Sequence, residues 1–123
     1  METKRSILLF FASVSPEGIS TKRKKERIRD YSTSLEIIWR YSKKLNFDIC
    51  VIENTLGSHE KWVNLQLFSQ EKIKFLYLNE NSGLTNKGLG ELDMATFAVS
   101  HLDLREYNKV VWFSGRHLLT SEA

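Results

Sequence analysis

The sequence predicts an α/β fold, a Rossmann-like domain of three layers built around a mainly parallel four-stranded sheet. Four short apolar runs, at 6–14, 47–52, 73–78 and 110–113, are rich in β-branched or aromatic residues and nearly continuous. Such runs are typical of strands that are buried on both faces. Helical patterns separate the runs, and the order β-α-β-α-β-α-β implies right-handed crossovers between parallel strands. The expected strand order is 3-2-1-4.

Three helical patterns are expected to supply the outer layers. The first, at 25–45, has an apolar stripe at alternating steps of three and four residues. Its members are Ile28, Tyr31, Leu35, Ile38, Ser42 and Leu45, with Trp39 beside them. The second pattern, at 60–68, is weaker, and the side chains expected to face the sheet are Trp62, Leu65 and Phe68. The third, at 88–104, has one face formed by Leu92, Ala95, Val99 and Leu102.

The 123 residues form a single predicted domain, 1–123, with room for one core. The content of 41% hydrophobic and 27% charged residues is ordinary for a soluble globular domain. No apolar run reaches about 18 residues, which argues against a membrane span. The run at 7–12 is interpreted as a buried strand rather than a signal peptide. The single Cys50 excludes an intramolecular disulfide and fits a reducing, cytoplasmic location.

A glycine-rich stretch, 86–91, joins the third predicted strand to the third predicted helix. At such a joint, free backbone N–H groups and the positive end of the helix dipole can hold an anion, and a phosphate is the favoured one. The stretch contains Asn86, Lys87 and Gly88 but neither G-x-G-x-x-G nor the ending of a P-loop. The alternative is a helix start that only needs small residues.

Six of the eight residues from Lys22 to Arg29 are basic, although the net charge is only +3. Three interpretations stay open for this cluster: a solvated loop running into a helix, a phosphate or diphosphate site, and a nucleic-acid contact. Cations at a helix N-terminus oppose the helix dipole, and a bound anion would offset that cost.

Polar residues follow each predicted strand at the edge where open α/β sheets bind ligands. Glu53 and Asn54 follow the second strand, and Arg116 follows the fourth. Glu53 is a candidate acceptor for a ring N–H or ribose hydroxyls, or else a helix cap or a surface ion pair. Arg116 is a candidate diphosphate contact or a plain surface arginine. The histidines show no zinc-ligand spacing with Cys50 or with one another.

Four segments, taken in order, resemble the N-terminal, nucleotide-sugar-binding half of a GT-A glycosyltransferase. They are the first strand with the helix 27–35, the strand 49–54 ending in Glu53, the loop and helix 79–91, and the strand 107–116 ending in Gly115-Arg116. The resemblance implies binding of a nucleotide-diphosphate sugar and transfer of the sugar to an acceptor that it does not identify. The implied site residues are Glu53, Asn54, Asn86, Lys87, Gly88 and Arg116.

Two departures from that family matter. Most such enzymes carry a metal-binding Asp-x-Asp where this chain has Ser114-Gly115-Arg116, so no divalent metal is expected and Arg116 would supply the positive charge. The chain also spans only about half of a complete enzyme of that fold, and no catalytic base is identified. A further C-terminal region or a second copy of the chain is expected to complete it. The rival interpretations are a non-catalytic nucleotide-binding module and a basic domain that binds RNA or an acidic partner.

Overall fold

The structure, a computed structural model, describes residues 5–15, 19–55, 62–63, 67, 73–78 and 87–114. In these parts of the chain the strands are β1 (Arg5–Ala12), β2 (Asp48–Glu53), β3 (Ile73–Tyr77) and β4 (Tyr107–Ser114). The helices are α1 (Thr21–Leu45) and α2 (Lys87–His101), and a short 3-10 turn (Leu104–Glu106) precedes β4. The helix predicted at 60–68 lies mostly outside the described residues.

The sheet confirms the predicted topology. All four strands are parallel, and their order is β3-β2-β1-β4. The central strand β1 pairs with β2 from Ile7 opposite Asp48 onward, and with β4 on its other side. The chain therefore moves outward from β1 to β3 and then returns to the far side of β1, so the order reverses between β1 and β4.

The side chains of α1 cover one face of the sheet. Phe10, Ile49 and Val51 point to this face and are buried against Tyr31 and Leu35 of the helix. Trp62, Val63 and Leu67 belong to the same cluster, so the expected burial of Trp62 is confirmed. The predicted stripe of α1 is confirmed at its centre and wrong at its end, where Leu45 is 71% exposed.

The helix α2 covers the opposite face with only part of the predicted stripe. Met94 and Ala98 are buried against Leu9 and the other β1 and β2 side chains of this face, whereas Val99 is 55% exposed. Ala95 and Leu102 pack at the margin of the cluster. The helix is therefore rotated from the predicted orientation. Small and apolar residues surround most of its circumference, so the sequence pattern alone does not fix which side faces the sheet.

The helix α1 begins four residues earlier than predicted. Ser20 caps it, because its hydroxyl accepts a hydrogen bond from the Arg23 amide at 3.2 Å. The basic residues from Lys22 onward therefore lie in the first turns of the helix and not in a loop before it. The helix ends at Asn46, whose φ of 58° places it in the left-handed region that asparagine tolerates.

Among the described strands, β4 forms one edge of the sheet. Val111 and Trp112, on opposite faces of β4, are 41% and 50% exposed. The expectation that the fourth apolar run is buried on both faces is therefore wrong for these two residues. An edge strand has one neighbour only, so its side chains receive less cover than those of β1.

Candidate functional site

The carboxyl ends of parallel strands meet at one edge of the sheet, and the loops that follow them form the candidate site. In open α/β sheets, ligands bind at this edge beside the point where the strand order reverses. Here that point lies between β1 and β4. The described residues at the edge are 13–15 after β1, 54–55 after β2, Leu78 after β3, and Ser114 at the end of β4.

Glu53, the last residue of β2, is fully buried at this edge. Its Oε2 accepts hydrogen bonds from the Val14 amide at 2.7 Å and from the Thr55 hydroxyl at 2.6 Å. Its Oε1 accepts a hydrogen bond from the Thr55 amide. A buried polar group must be hydrogen-bonded to offset the cost of removing it from water, and these three bonds satisfy both oxygens of Glu53. Glu53 therefore joins the loop after β1 to the loop after β2.

Neighbouring side chains strengthen the same junction. Asn54 is 4% exposed, and its Oδ1 accepts a hydrogen bond from the Ser13 hydroxyl. The Ser15 amide donates to the Thr55 hydroxyl oxygen at 2.8 Å. We call Glu53, Asn54 and Thr55, with Ser13, Val14 and Ser15, the loop junction. It fixes the backbones of the two adjacent loops to each other.

The helix α1 also reaches the loop junction. The Arg27 Nη1 donates to the Ser13 carbonyl at 2.8 Å. The Tyr31 hydroxyl accepts from the Ser13 amide at 3.1 Å and lies 3.4 Å from the Ser13 carbonyl. Beside these contacts, a groove of about 460 Å³ is lined by Arg23, Glu26, Arg27, Asp30 and Tyr31. The first turns of α1 thus lie against the carboxyl edge of the sheet.

The predicted site residues divide into three groups. Glu53 and Asn54 lie together in the loop junction, where their observed contacts are made within the chain. Lys87 and Gly88 are the first two residues of α2, so the predicted helix start is confirmed to within one residue. Asn86 and Arg116 lie outside the described residues. A contact between any of the six and a nucleotide stays a prediction.

Sequence reasoning located Glu53 at the end of its strand but missed what it binds. Full burial excludes a surface ion pair for Glu53, and its hydrogen bonds to Val14 and Thr55 join two loops. The missed participants are Ser13, Thr55, Arg27 and Tyr31. The available signal was the polar segment Glu53-Asn54-Thr55 directly after a buried strand, since side chains there can bond to the backbone of the neighbouring loop.

The amino edge of the sheet, opposite the candidate site, carries an ion pair and a partly buried tyrosine. Arg5 and Asp48 form an ion pair at 2.8 Å between Nη2 and Oδ1. Burial, together with the negative charge of Asp48, raises the pKa of Tyr107 to about 12. These groups bond to one another at the start of their strands. They lie a strand's length from the loop junction.

Two further features bear on the kind of site. Within the described ranges, no three side chains of histidine, cysteine, aspartate or glutamate are grouped so that they could hold a metal ion. Among the described helices, none combines the length and the apolar character needed to cross a bilayer.

The sheet order and the two helical layers define a Rossmann-like α/β domain. Comparison with protein families, with curated proteins and with solved structures found no match to this chain.

Proposed function

We propose that this domain binds a nucleotide-diphosphate sugar at the carboxyl edge of its sheet and transfers the sugar to an acceptor. One observation carries the proposal: the loops after β1 and β2 are fixed to each other by the buried Glu53, next to the strand-order reversal. Preformed loops lower the entropy lost when a ligand is bound. The resemblance of four ordered segments to GT-A glycosyltransferases supports the same ligand class.

In this proposal Glu53 is a positioning residue. A carboxylate offers about four acceptor sites, and three chain donors already use Glu53. It therefore acts on a nucleotide through the loop backbone that it holds. Lys87 and Gly88 begin α2, whose unpaired N–H groups and dipole favour a diphosphate. Arg116 stabilises negative charge on the leaving diphosphate. We assign no catalytic base.

The diphosphate is held without a divalent cation. The positive charge comes from Arg116 and from Arg23 and Arg27, the members of the basic cluster Lys22–Arg29 that line the groove beside the loop junction. A guanidinium can grip two phosphate oxygens at once. The segment Ser114-Gly115-Arg116 carries no carboxylate for a metal ion.

Titration calorimetry with uridine, guanosine, cytidine and thymidine diphosphates tests the proposal. We expect binding of at least one of them at millimolar concentration or better, with little change on adding EDTA. Arg116→Ala should weaken it by about 1.5–3 kcal/mol, the range for a hydrogen bond to a charged group. The matched control is Arg105→Ala, which removes an exposed arginine that pairs with Asp103 before β4.

Each result has a defined meaning. Absence of heat with all four diphosphates would contradict the nucleotide site. Loss of binding in EDTA, together with unchanged binding by the Arg116→Ala variant, would contradict the metal-free arrangement. Binding with measurable release of the sugar from a matching donor supports transfer, whereas binding without any release favours a non-catalytic binding module.

A further inference from the structure

The exposed face of the first turns of α1 carries a line of cations. Lys22, Lys25 and Arg29, here called the cationic ridge, are exposed and are spaced by three and four residues. Residues at this spacing lie on one face of a helix. With a rise of 1.5 Å per residue, the ridge extends roughly 10 Å along the helix axis.

The segment that contains the ridge, Lys22 to Asp30, accounts for the protein's net positive charge. From Lys22 to Asp30 there are six basic and two acidic residues, and the other 12 basic and 13 acidic residues of the chain nearly cancel. Among the described residues, Lys22 and Lys25 have no ion-pair partner. Arg29 lies 3.5 Å from Asp30 with 73% of its side chain exposed. Glu26 stands beside the ridge, 3.7 Å from Arg23.

The ridge borders an open groove of about 870 Å³ lined by Thr21, Lys22, Lys25, Glu26 and Arg29. None of these side chains is a large hydrophobic group, whereas protein interfaces bury an apolar or aromatic centre and amphipathic membrane helices expose an apolar face. A ligand of this groove must therefore be attracted by charge. A chain of phosphates offers regularly spaced negative groups with few demands for apolar contact.

We propose that the cationic ridge binds the phosphate backbone of single-stranded nucleic acid without reading its base sequence. Among the described residues, the side chains that line the groove are those of Thr21, Lys22, Lys25, Glu26 and Arg29, and none of these five offers an aromatic face on which a base could stack. Phosphate contacts position a nucleic acid but do not specify its sequence. This surface lies on the solvent side of α1, and the proposal is independent of nucleotide-sugar binding at the sheet edge.

Fluorescence anisotropy with a labelled uridine 12-mer RNA, measured from about 25 to 250 mM NaCl, tests the proposal. Each phosphate contact on a single strand contributes a slope of about −0.7 in the logarithm of affinity against the logarithm of salt concentration. Three contacts give a slope of about −2. The variant K22Q/K25Q/R29Q should bind about tenfold or more weakly at 50 mM NaCl and lose most of that slope.

The matched control is K43Q/K44Q/K109Q, which removes three exposed cations elsewhere and gives the same net charge. It should keep most of the RNA affinity. An equal loss of RNA affinity in K22Q/K25Q/R29Q and in the control variant would overturn the proposal. Absence of RNA binding by the native protein at 25 mM NaCl would overturn it too. Polyphosphate binding more than tenfold tighter than RNA, at equal phosphate concentration, would overturn the assignment to nucleic acid.

Circular dichroism of both triple variants is the control for folding, and their helix content should equal that of the native protein. Should K22Q/K25Q/R29Q not fold, the single variants Lys25→Gln and Arg29→Gln replace it. Each should reduce the salt slope by about 0.7. An unchanged slope in both single variants would contradict the proposal.

Discussion

At the scale of single residues, Glu53 shows how one buried carboxyl group can hold two loops together. Its carboxylate is fully buried, and its two oxygens together bond to one residue of the loop after β1 and one residue of the loop after β2. The sequence places Glu53 at the sheet edge because it follows an apolar strand. It cannot reveal the bond to Val14, because Val14 and Glu53 lie 39 positions apart in the sequence and are brought together only by the pairing of β1 with β2.

Replacing Glu53 by glutamine tests this structural role. The amide group of glutamine would present a donor where a backbone N–H or the Thr55 hydroxyl now donates. We expect Glu53→Gln to lower the free energy of unfolding by about 1–3 kcal/mol, as for a buried polar group left without a partner. Urea denaturation measures it. The control Glu36→Gln removes an exposed ion pair to Arg40 and should cost less than about 1 kcal/mol. Equal losses in the two variants would contradict the assigned role.

The buried thiol of Cys50 gives a second test at this scale. Burial raises the pKa of Cys50 from 9.0 to about 12, although the nearby Lys74 opposes the shift. The folded protein thus keeps this proton at pH values where the unfolded chain loses it. The contribution of the protonated Cys50 thiol to the free energy of unfolding is therefore complete below pH 9, and it declines as the pH rises from 9 toward 12.

We therefore expect the unfolding free energy of the native protein to fall relative to that of Cys50→Ala between pH 8 and pH 10. The expected relative change is about 1 kcal/mol. Urea denaturation of both proteins at each pH measures it, and the comparison cancels the titration of groups that they share. A difference between the two proteins that stays constant over this range would show that the thiol is not protected by burial.

At the scale of elements, the accuracy of the sequence predictions follows from how clearly each pattern marks one face. The centre of α1 was predicted correctly because its apolar residues form one stripe between polar faces. Its start was placed four residues late because the run of lysines and arginines carries no apolar signal. In α2 the predicted stripe is confirmed at Ala95 and Leu102 and wrong at Val99, since Met94 and Ala98 offer an equally apolar face.

The first turn of α1 contains no acidic residue, which leaves the helix dipole opposed by cations. We expect Thr21→Glu to stabilise the free protein by about 0.5–1 kcal/mol relative to Thr21→Gln. Glutamate and glutamine have similar helix propensity, so the comparison isolates the effect of the negative charge. That charge would also lie four residues before Lys25, where it can pair with the lysine. Thermal unfolding at low salt and at 1 M NaCl measures it. Salt should remove most of the difference, and a difference that persists in 1 M NaCl would contradict the electrostatic cause.

At the scale of the whole molecule, the sequence was sufficient for the topology and insufficient for the site. Buried parallel strands and their crossover helices leave few arrangements, so the order 3-2-1-4 could be predicted and is confirmed. The loop junction depends on side chains from β1, β2 and α1 meeting at one edge. No local pattern encodes such a meeting, because each partner is chosen by the folded geometry.

The two proposed surfaces occupy different parts of this architecture. The proposed nucleotide site is the carboxyl edge, where hydrogen bonds of Ser13 and Thr55 fix adjacent loops. The cationic ridge lies on the outer side of α1, the helix whose Arg27 also bonds to the Ser13 carbonyl. A ligand at either surface would therefore contact an element that is tied to the loop junction. The two sites can be tested separately, because nucleoside diphosphates and RNA are distinct probes.

The most direct test of the central claim is a map of backbone amide shifts during titration with the nucleoside diphosphate that binds best. In ¹H–¹⁵N spectra we expect the largest changes at residues 13–15 and 53–55, in the loop junction. The amides of Arg5, Asp48 and Tyr107, at the amino edge, should change little. The largest changes at the amino edge, or no changes anywhere at millimolar ligand, would contradict a nucleotide site at the carboxyl edge of the sheet.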